Sequence, residues 1–178
     1  LFRRVFGERY GATIDYPWLD RYELVGRVPM LFLDSADGKI DPQQIAWIES
    51  VLADAARATG GRRADERTRS RLLVWIHHPV ITGFHRYMDS SYRLENAEDV
   101  LAVLARYAGT VRIEVFCGHY HLEDVRERDG VHQYCTPSTY VQIDPAEPTF
   151  RALPVGAGYR IVDITVADPI ESAVVYRV

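Results

Sequence analysis

Leu72-Leu73-Val74-Trp75-Ile76-His77-His78-Pro79 and Val111-Arg112-Ile113-Glu114-Val115-Phe116-Cys117-Gly118-His119-Tyr120-His121 are two strand-like stretches that each end in histidine. The first opens with five apolar residues in a row, the pattern of a strand covered on both faces. Between the stretches, residues 96–107 have helical spacing, with Asn96 as a candidate cap and Val100, Leu101 and Leu104 on one face. A strand, helix, strand order of this kind reads as α/β. Sheets of that class gather ligand sites outside the carboxyl ends of their strands, where both histidine groups fall.

The pattern continues on both sides. Residues 22–25 and 30–33 are strand-like, separated by Gly26 and Pro29, and Asp34-Ser35-Ala36-Asp37-Gly38 is turn chemistry. Asp41-Pro42-Gln43-Gln44 has the composition of a helix start, with Ile45, Ile48, Val51, Leu52 and Ala55 on an apolar face and Gly60-Gly61 as its end. Residues 2–10 read as a short amphipathic helix or the tail of one, and residues 61–70 as a solvated basic loop. The stretch from Pro79 to about Glu95 reads as a long irregular loop, and loops of that length in compact domains are often functional. Residues 125–134 read as a hairpin around Asp129-Gly130, and residues 159–166 and 173–176 as short strands. There are no repeats and no low-complexity tract.

With 178 residues, the chain is of ordinary domain length, and 21 Lys plus Arg against 25 Asp plus Glu give a formal charge of −4. That balance supplies no basic footprint for a nucleic-acid duplex. Two cysteines, Cys117 and Cys135, make no disulfide framework, and no apolar run reaches the roughly 20 residues of a membrane helix. A reducing, cytoplasmic setting is the simplest expectation. The chain opens on Leu1 rather than Met, as though its beginning lay elsewhere.

Six histidines are present, at positions 77, 78, 85, 119, 121 and 132. His119 and His121 are two apart, so in extended backbone both imidazoles project to one side, where they can serve one metal or two adjacent ones. Gly118 gives the chain room to turn, and His77 arrives from the neighbouring strand end with Pro79 fixing the exit. His132, in the hairpin, reads as an ordinary surface residue, and His85 as solvated or lining a site. Cys117 reads as a small core residue, with a Cys117–His119 zinc site as the alternative. Asp34 and Asp37 are nearby turn carboxylates that could add ligands.

These residues resemble the C-terminal part of the calcineurin-like metallophosphoesterases, and within them the bacterial class III cyclic-nucleotide phosphodiesterase branch. The motifs are His77-His78-Pro79 and Gly118-His119-Tyr120-His121, with Leu33-Asp34-Ser35, Gly38-Lys39-Ile40-Asp41, Gln44-Ile45-Ala46-Trp47-Ile48, Thr136-Pro137-Ser138-Thr139, Val141-Gln142 and Gly158-Tyr159-Arg160 in support. The resemblance covers nearly the whole chain. It implies that residues 1–178 are the C-terminal portion of one domain, an α/β metallophosphoesterase-type β-sandwich flanked by helices, here without its N-terminal strands. It also implies two divalent ions (Mn, Fe or Zn), with His77 and His119 holding one and His121 the other. His78 would lie behind the ligands or near substrate. His85, Arg86 and Tyr87 would form a wall of the pocket, with Arg86 for phosphate and Tyr87 for a base. The remaining ligands and the proton donor would lie upstream of residue 1.

The resemblance thus implies hydrolysis of a phosphodiester such as a cyclic nucleotide by the intact protein. An incomplete sheet leaves an edge to cover, for which homodimerisation is one route. The alternatives are a non-catalytic fragment or partner-binding domain that keeps the histidines, and a one-metal, three-histidine zinc hydrolase on another fold.

Overall fold

The two apolar runs lie side by side, and the sheet grows outward from them. In the computed structural model, which describes residues 21–25, 28–58, 70–164 and 171–177, they form β3 (Ser70–Trp75) and β4 (Val111–Cys117), paired in parallel. Before them come β1 (Arg21–Val25), β2 (Val28–Phe32) and helix α1 (Pro42–Ala58). Between them lie α2 (Arg86–Ser91) and α3 (Ala97–Tyr107). After β4 the chain makes a hairpin of β5 (Asp124–Arg128) and β6 (Val131–Cys135). Then come β7 (Gln142–Ile143), β8 (Ala152–Leu153), β9 (Gly158–Asp163) and β10 (Glu171–Tyr176).

The central six-stranded sheet runs β1-β2-β3-β4-β6-β5, and its inner strands β2, β3, β4 and β6 are parallel. The antiparallel strands β1 and β5 lie at its two edges. The α/β class expected from the sequence is therefore the class observed. The other two sheets are two-stranded, β9 with β10 and β7 with β8.

Strand alternation divides the core. Leu31, Leu72, Val74, Ile113, Val115 and Val131 point to one face and pack against Ile48 and Leu52 of α1 and Val100, Leu101 and Leu104 of α3. Each of these side chains is essentially fully buried, which stabilises the fold by about 1.5–3 kcal/mol apiece. The opposite face carries a row of stacked rings, Phe32, Trp75, Phe116 and Tyr134, with centroid separations of 6.2, 4.7 and 5.0 Å. Val162 and Ile164 pack against that row. Glu114 is fully buried on this side, and Arg71 (3.2 Å) from the adjacent strand and Arg112 (3.1 Å) from its own neutralise it. A buried carboxylate is tolerated only with such partners.

Local chemistry accounts for most element ends. Asp41 accepts the amide of Gln43 at 2.8 Å, and Pro42 occupies the first helical position of α1. Asp129 (φ 54°) and Gly130 (φ 78°) both take left-handed backbone, as the tight β5–β6 turn requires. Two expectations are corrected. The stretch up to Glu95 is not wholly irregular, because residues 86–91 make α2. Asn96 precedes α3 but does not cap it; its amide is spent on Ile40, accepting that residue's N–H at 2.9 Å and donating to its carbonyl at 2.8 Å. The helix expected over residues 2–10, the Gly60-Gly61 stop and most of the basic loop lie outside the described residues.

Leu104 is fully buried where α3 meets the sheet. Leu104→Ala is expected to lower unfolding free energy by about 2–5 kcal/mol, the usual cost of such a cavity. Urea denaturation followed by tryptophan fluorescence measures it.

Candidate metal centre

Because β2, β3, β4 and β6 are parallel, their four following loops emerge at one edge. Leu33 opens the first, Ile76 followed by His77 the second, Gly118 the third and Thr136 the fourth. Backbone hydrogen bonds carry the pairing beyond the strands: Leu33 N–H to Trp75 (2.8 Å), Gly118 N–H to His77 (3.1 Å) and Thr136 N–H to Cys117 (2.8 Å). An open cleft of about 590 Å³ lies over this edge, lined among others by His77, His119, His121 and residues 136–139.

His77 and His119 meet there. The Nε2 atom of His77 is 2.9 Å from Nδ1 of His119. The other nitrogen of His119, Nε2, donates to the Tyr92 carbonyl at 2.8 Å, which leaves Nδ1 as the acceptor. Fixing one imidazole nitrogen on a carbonyl so that the other presents a lone pair is the usual preparation of a metal ligand. His78 stacks obliquely on His119, ring centroids 4.1 Å apart, and its Nδ1 lies 2.9 Å from the Ser35 hydroxyl. His121 completes the group, its Nδ1 buried without a hydrogen-bond partner among the described residues.

The backbone reaches this arrangement differently from the sequence expectation. His119 (φ 63°) and His121 (φ 55°) are both left-handed, whereas Gly118 is not. The extended-backbone argument for the pair is therefore corrected: a tight turn aims the rings. Left-handed φ at a residue with a Cβ is sparsely populated and costs about 1–3 kcal/mol when strained, so surrounding contacts must hold it. Between the two, Tyr120 is wholly buried and its hydroxyl donates to Asp89 at 2.7 Å. Burial, then the Asp89 carboxylate, raises the phenol well above its ordinary value, so it remains a donor.

Electrostatics favour neutral imidazoles. Burial lowers His77, and the nearby His121 lowers it further. Burial also lowers His119, with smaller contributions from His77 and His121 in the same direction against the raising bond to Tyr92. His78 is lowered to about 4 by burial, then by His119 and His77. Neutral imidazole is the metal-binding form. The donor set and the orphaned His121 nitrogen thus fit the histidine side of a metal centre. They do not make a whole one: no group of three or more His, Cys, Asp or Glu among the described residues stands in ligating geometry.

The other candidates separate. His85 is fully buried rather than solvated, with neither ring nitrogen hydrogen-bonded among the described residues. Arg86 is exposed at the start of α2, and Tyr87 packs beside Tyr92 at 5.5 Å. The Asp34 carboxylate accepts the Ala36 amide at 3.0 Å, and Asp37 is exposed in the same turn. Cys117 is buried in the core, where burial and then Cys135 raise its thiol above the ordinary value. His132 is half-buried on β6.

The motif residues without obvious chemistry brace the site. Gln133 accepts the amides of Val80 and Ile81, both at 2.8 Å, and donates to the Ile81 carbonyl at 2.9 Å, tying the His-His-Pro exit to β6. Gln142 holds the 136–139 turn through both the amide and the carbonyl of Ser138. Gly158 lies so close to that turn that a Cβ would sit 2.6 Å from Pro137. Ser35, Gln133 and Asp89 have no spacing signal of their own for these roles, because His78, Val80 and Tyr120, which they hold, are 31 to 53 residues away.

Comparison with known proteins agrees with the motifs. The chain is 33% identical over 143 residues to a probable cyclic nucleotide phosphodiesterase of Fibrobacter succinogenes, covering 80% of this chain and 50% of that protein. It is 30% identical over 140 residues to the 3′,5′-cyclic adenosine monophosphate phosphodiesterase CpdA of Escherichia coli, covering 76% and 46%. The chain is thus similar to proteins named cyclic nucleotide phosphodiesterases. The chain spans about half the length of the curated relatives it matches. No family model matches it. No helix among the described residues is long and apolar enough to cross a membrane.

The depressed His78 gives the chain a pH signature. Its folded value of about 4 lies below the ordinary 6.5, so the unfolded chain binds more protons between them. The contribution to stability is complete above about pH 6.5 and is lost as pH falls towards 4. In metal-free protein, the urea midpoint is expected to drop from pH 7.5 to pH 5. His78→Asn is expected to flatten that drop relative to the unsubstituted protein.

Proposed function

We propose that the whole protein to which this chain contributes hydrolyses a phosphodiester of the cyclic-nucleotide kind, at a two-metal centre whose histidine side is built here. The observation that carries the reading is the convergence of the His77 and His119 nitrogens, 2.9 Å apart, from the ends of two adjacent parallel strands. The names of the relatives supply the substrate class. His77 and His119 would hold one ion and His121 the other, with the remaining ligands coming from outside these residues. Divalent ions bound there would polarise the phosphoryl oxygens and lower the pKa of a water. The identity of the metal is open, because imidazole suits Mn, Fe and Zn alike.

The chain's own groups have separate tasks in this reading. The Tyr92 carbonyl sets the tautomer of His119, and Ser35 orients His78 beside it. Phe32, Trp75 and Phe116 add apolar rings to the lining of the cleft. Arg86, exposed at the start of α2, would meet a phosphate oxygen and Tyr87 would offer a ring to a base, although neither residue lines the cleft. His85 presents no surface to substrate in this arrangement. A non-catalytic, partner-binding role keeps one observation in its favour, the lack of a three-donor group among the described residues.

His119→Ala in the complete protein decides between them. Metal-dependent hydrolysis of a cyclic nucleotide is expected to fall below detection while circular dichroism stays unchanged, and calorimetric titration with Mn²⁺ is expected to lose a site. Most activity retained, or no Mn²⁺ bound by the unsubstituted protein, would count for the binding role.

A further inference from the structure

We infer that Asp89 and Tyr120 are positioning residues for His119 and His121, and that they lock the histidine turn to the α2 loop. The inference rests on reading those histidines as ligands, but its geometry is independent of any metal.

The Asp89 carboxylate, on α2, collects three donors. Its Oδ1 takes the Gly83 amide at 3.0 Å and the Tyr120 hydroxyl at 2.7 Å, and its Oδ2 takes the His85 amide at 2.7 Å. One side chain therefore closes the loop upon itself and reaches across 31 residues to the residue between the two histidines. The Tyr120 ring is fully buried, 4.9 Å from Phe84 and 5.9 Å from His85 in an edge contact. A second bond ties the same two segments, from His119 Nε2 to the Tyr92 carbonyl at 2.8 Å. The loop thus grips consecutive residues of the turn, one by its side-chain hydroxyl and the next by its ring.

This grip falls where the backbone needs it. His119 and His121 hold left-handed φ values on either side of Tyr120, and residues with a Cβ stay in that region only when their surroundings enforce it. The Tyr120–Asp89 bond is a directional contact at the centre of the strained stretch. Without it, packing still buries the ring, but the remaining directional contacts hold the turn only on either side of Tyr120, from His119 Nε2 to the Tyr92 carbonyl at 2.8 Å and from the Ile143 amide to the His121 carbonyl at 3.2 Å. The two imidazoles then lose their common aim. Groups hydrogen-bonded directly to a ligating histidine are worth about 10–100-fold in metal affinity at characterised sites, and Asp89 acts one bond further back, through Tyr120.

The test uses the complete protein, metal-free, with ¹⁵N-labelled histidine, and compares Tyr120→Phe and Asp89→Asn with the unsubstituted form. Imidazole ¹⁵N shifts are expected to show His119 as a single Nε2–H tautomer in the unsubstituted protein. In both variants, His119 and His121 are expected to move towards tautomer-averaged shifts while His132, elsewhere on β6, does not. Mn²⁺ affinity is then expected to weaken by less than the about 10–100-fold of a directly bonded partner, on the order of several-fold. Unchanged His119 and His121 shifts would overturn the inference. So would a shift of every histidine together, or failure of both variants to fold, because the pair would then serve the core rather than the site. If the unsubstituted protein binds no Mn²⁺, the proposed function falls, yet the imidazole spectra still decide whether Asp89 and Tyr120 position the turn.

Discussion

Parallel pairing of four strands is the constraint on which everything else depends. Parallel strands must return through crossovers, so β2, β3, β4 and β6 all finish at the same edge of the sheet. The crossovers through α1 and α3 place both long helices on one face. With the strand ends in register to within a residue or two, four separate loops are delivered to one cleft. The histidines need no long side-chain reach, because the backbone has already brought them together.

What the sheet leaves unsettled, side-chain hydrogen bonds settle. Gln133, Gln142, Asn96 and Asp89 each satisfy two or more backbone groups in loops that have no regular ladder of their own. Buried loop backbone left unsatisfied would cost about 1–3 kcal/mol per group, so these side chains are structural requirements of an irregular cleft wall. They also explain why motif segments such as Thr136-Pro137-Ser138-Thr139 and Gly158-Tyr159-Arg160 carry little chemistry themselves. The first is a turn held by Gln142, and the second packs against it, with Arg160 donating to the Cys135 carbonyl at 2.9 Å.

The sheet's second face has a different character. Its stacked aromatic row and its buried Arg71–Glu114–Arg112 group lie opposite the helices. Aromatic stacking favours broad, flat contact, and three rings of the row, Phe32, Trp75 and Phe116, line the cleft. One layer of strands therefore serves both sides: aliphatic packing fixes the helices, and aromatic packing shapes the cleft.

Much of this was legible in the sequence. The apolar run before His77, the Val111–Cys117 strand, the helix start at Asp41-Pro42 and the Asp129-Gly130 turn all follow from periodicity and local turn chemistry, which act over a few residues. The position of the histidines at strand ends was equally legible, because it depends only on where the apolar runs stop. The direction in which His119 and His121 point was not. Alternation along an extended strand put both on one side, whereas the chain turns left-handed at each, and the contacts around that turn reach Asp89 and Tyr92 in another loop. The burial of His85 and the loss of Asn96 as a cap have the same cause: their surroundings are assembled from segments far apart in the chain. The sequence by itself determined which residues form strands and helices and where the imidazoles enter, since those are local energies. Only the tertiary structure decided their tautomers, their aim and the residues that brace them, since those depend on partners that come close only when the sheet has formed.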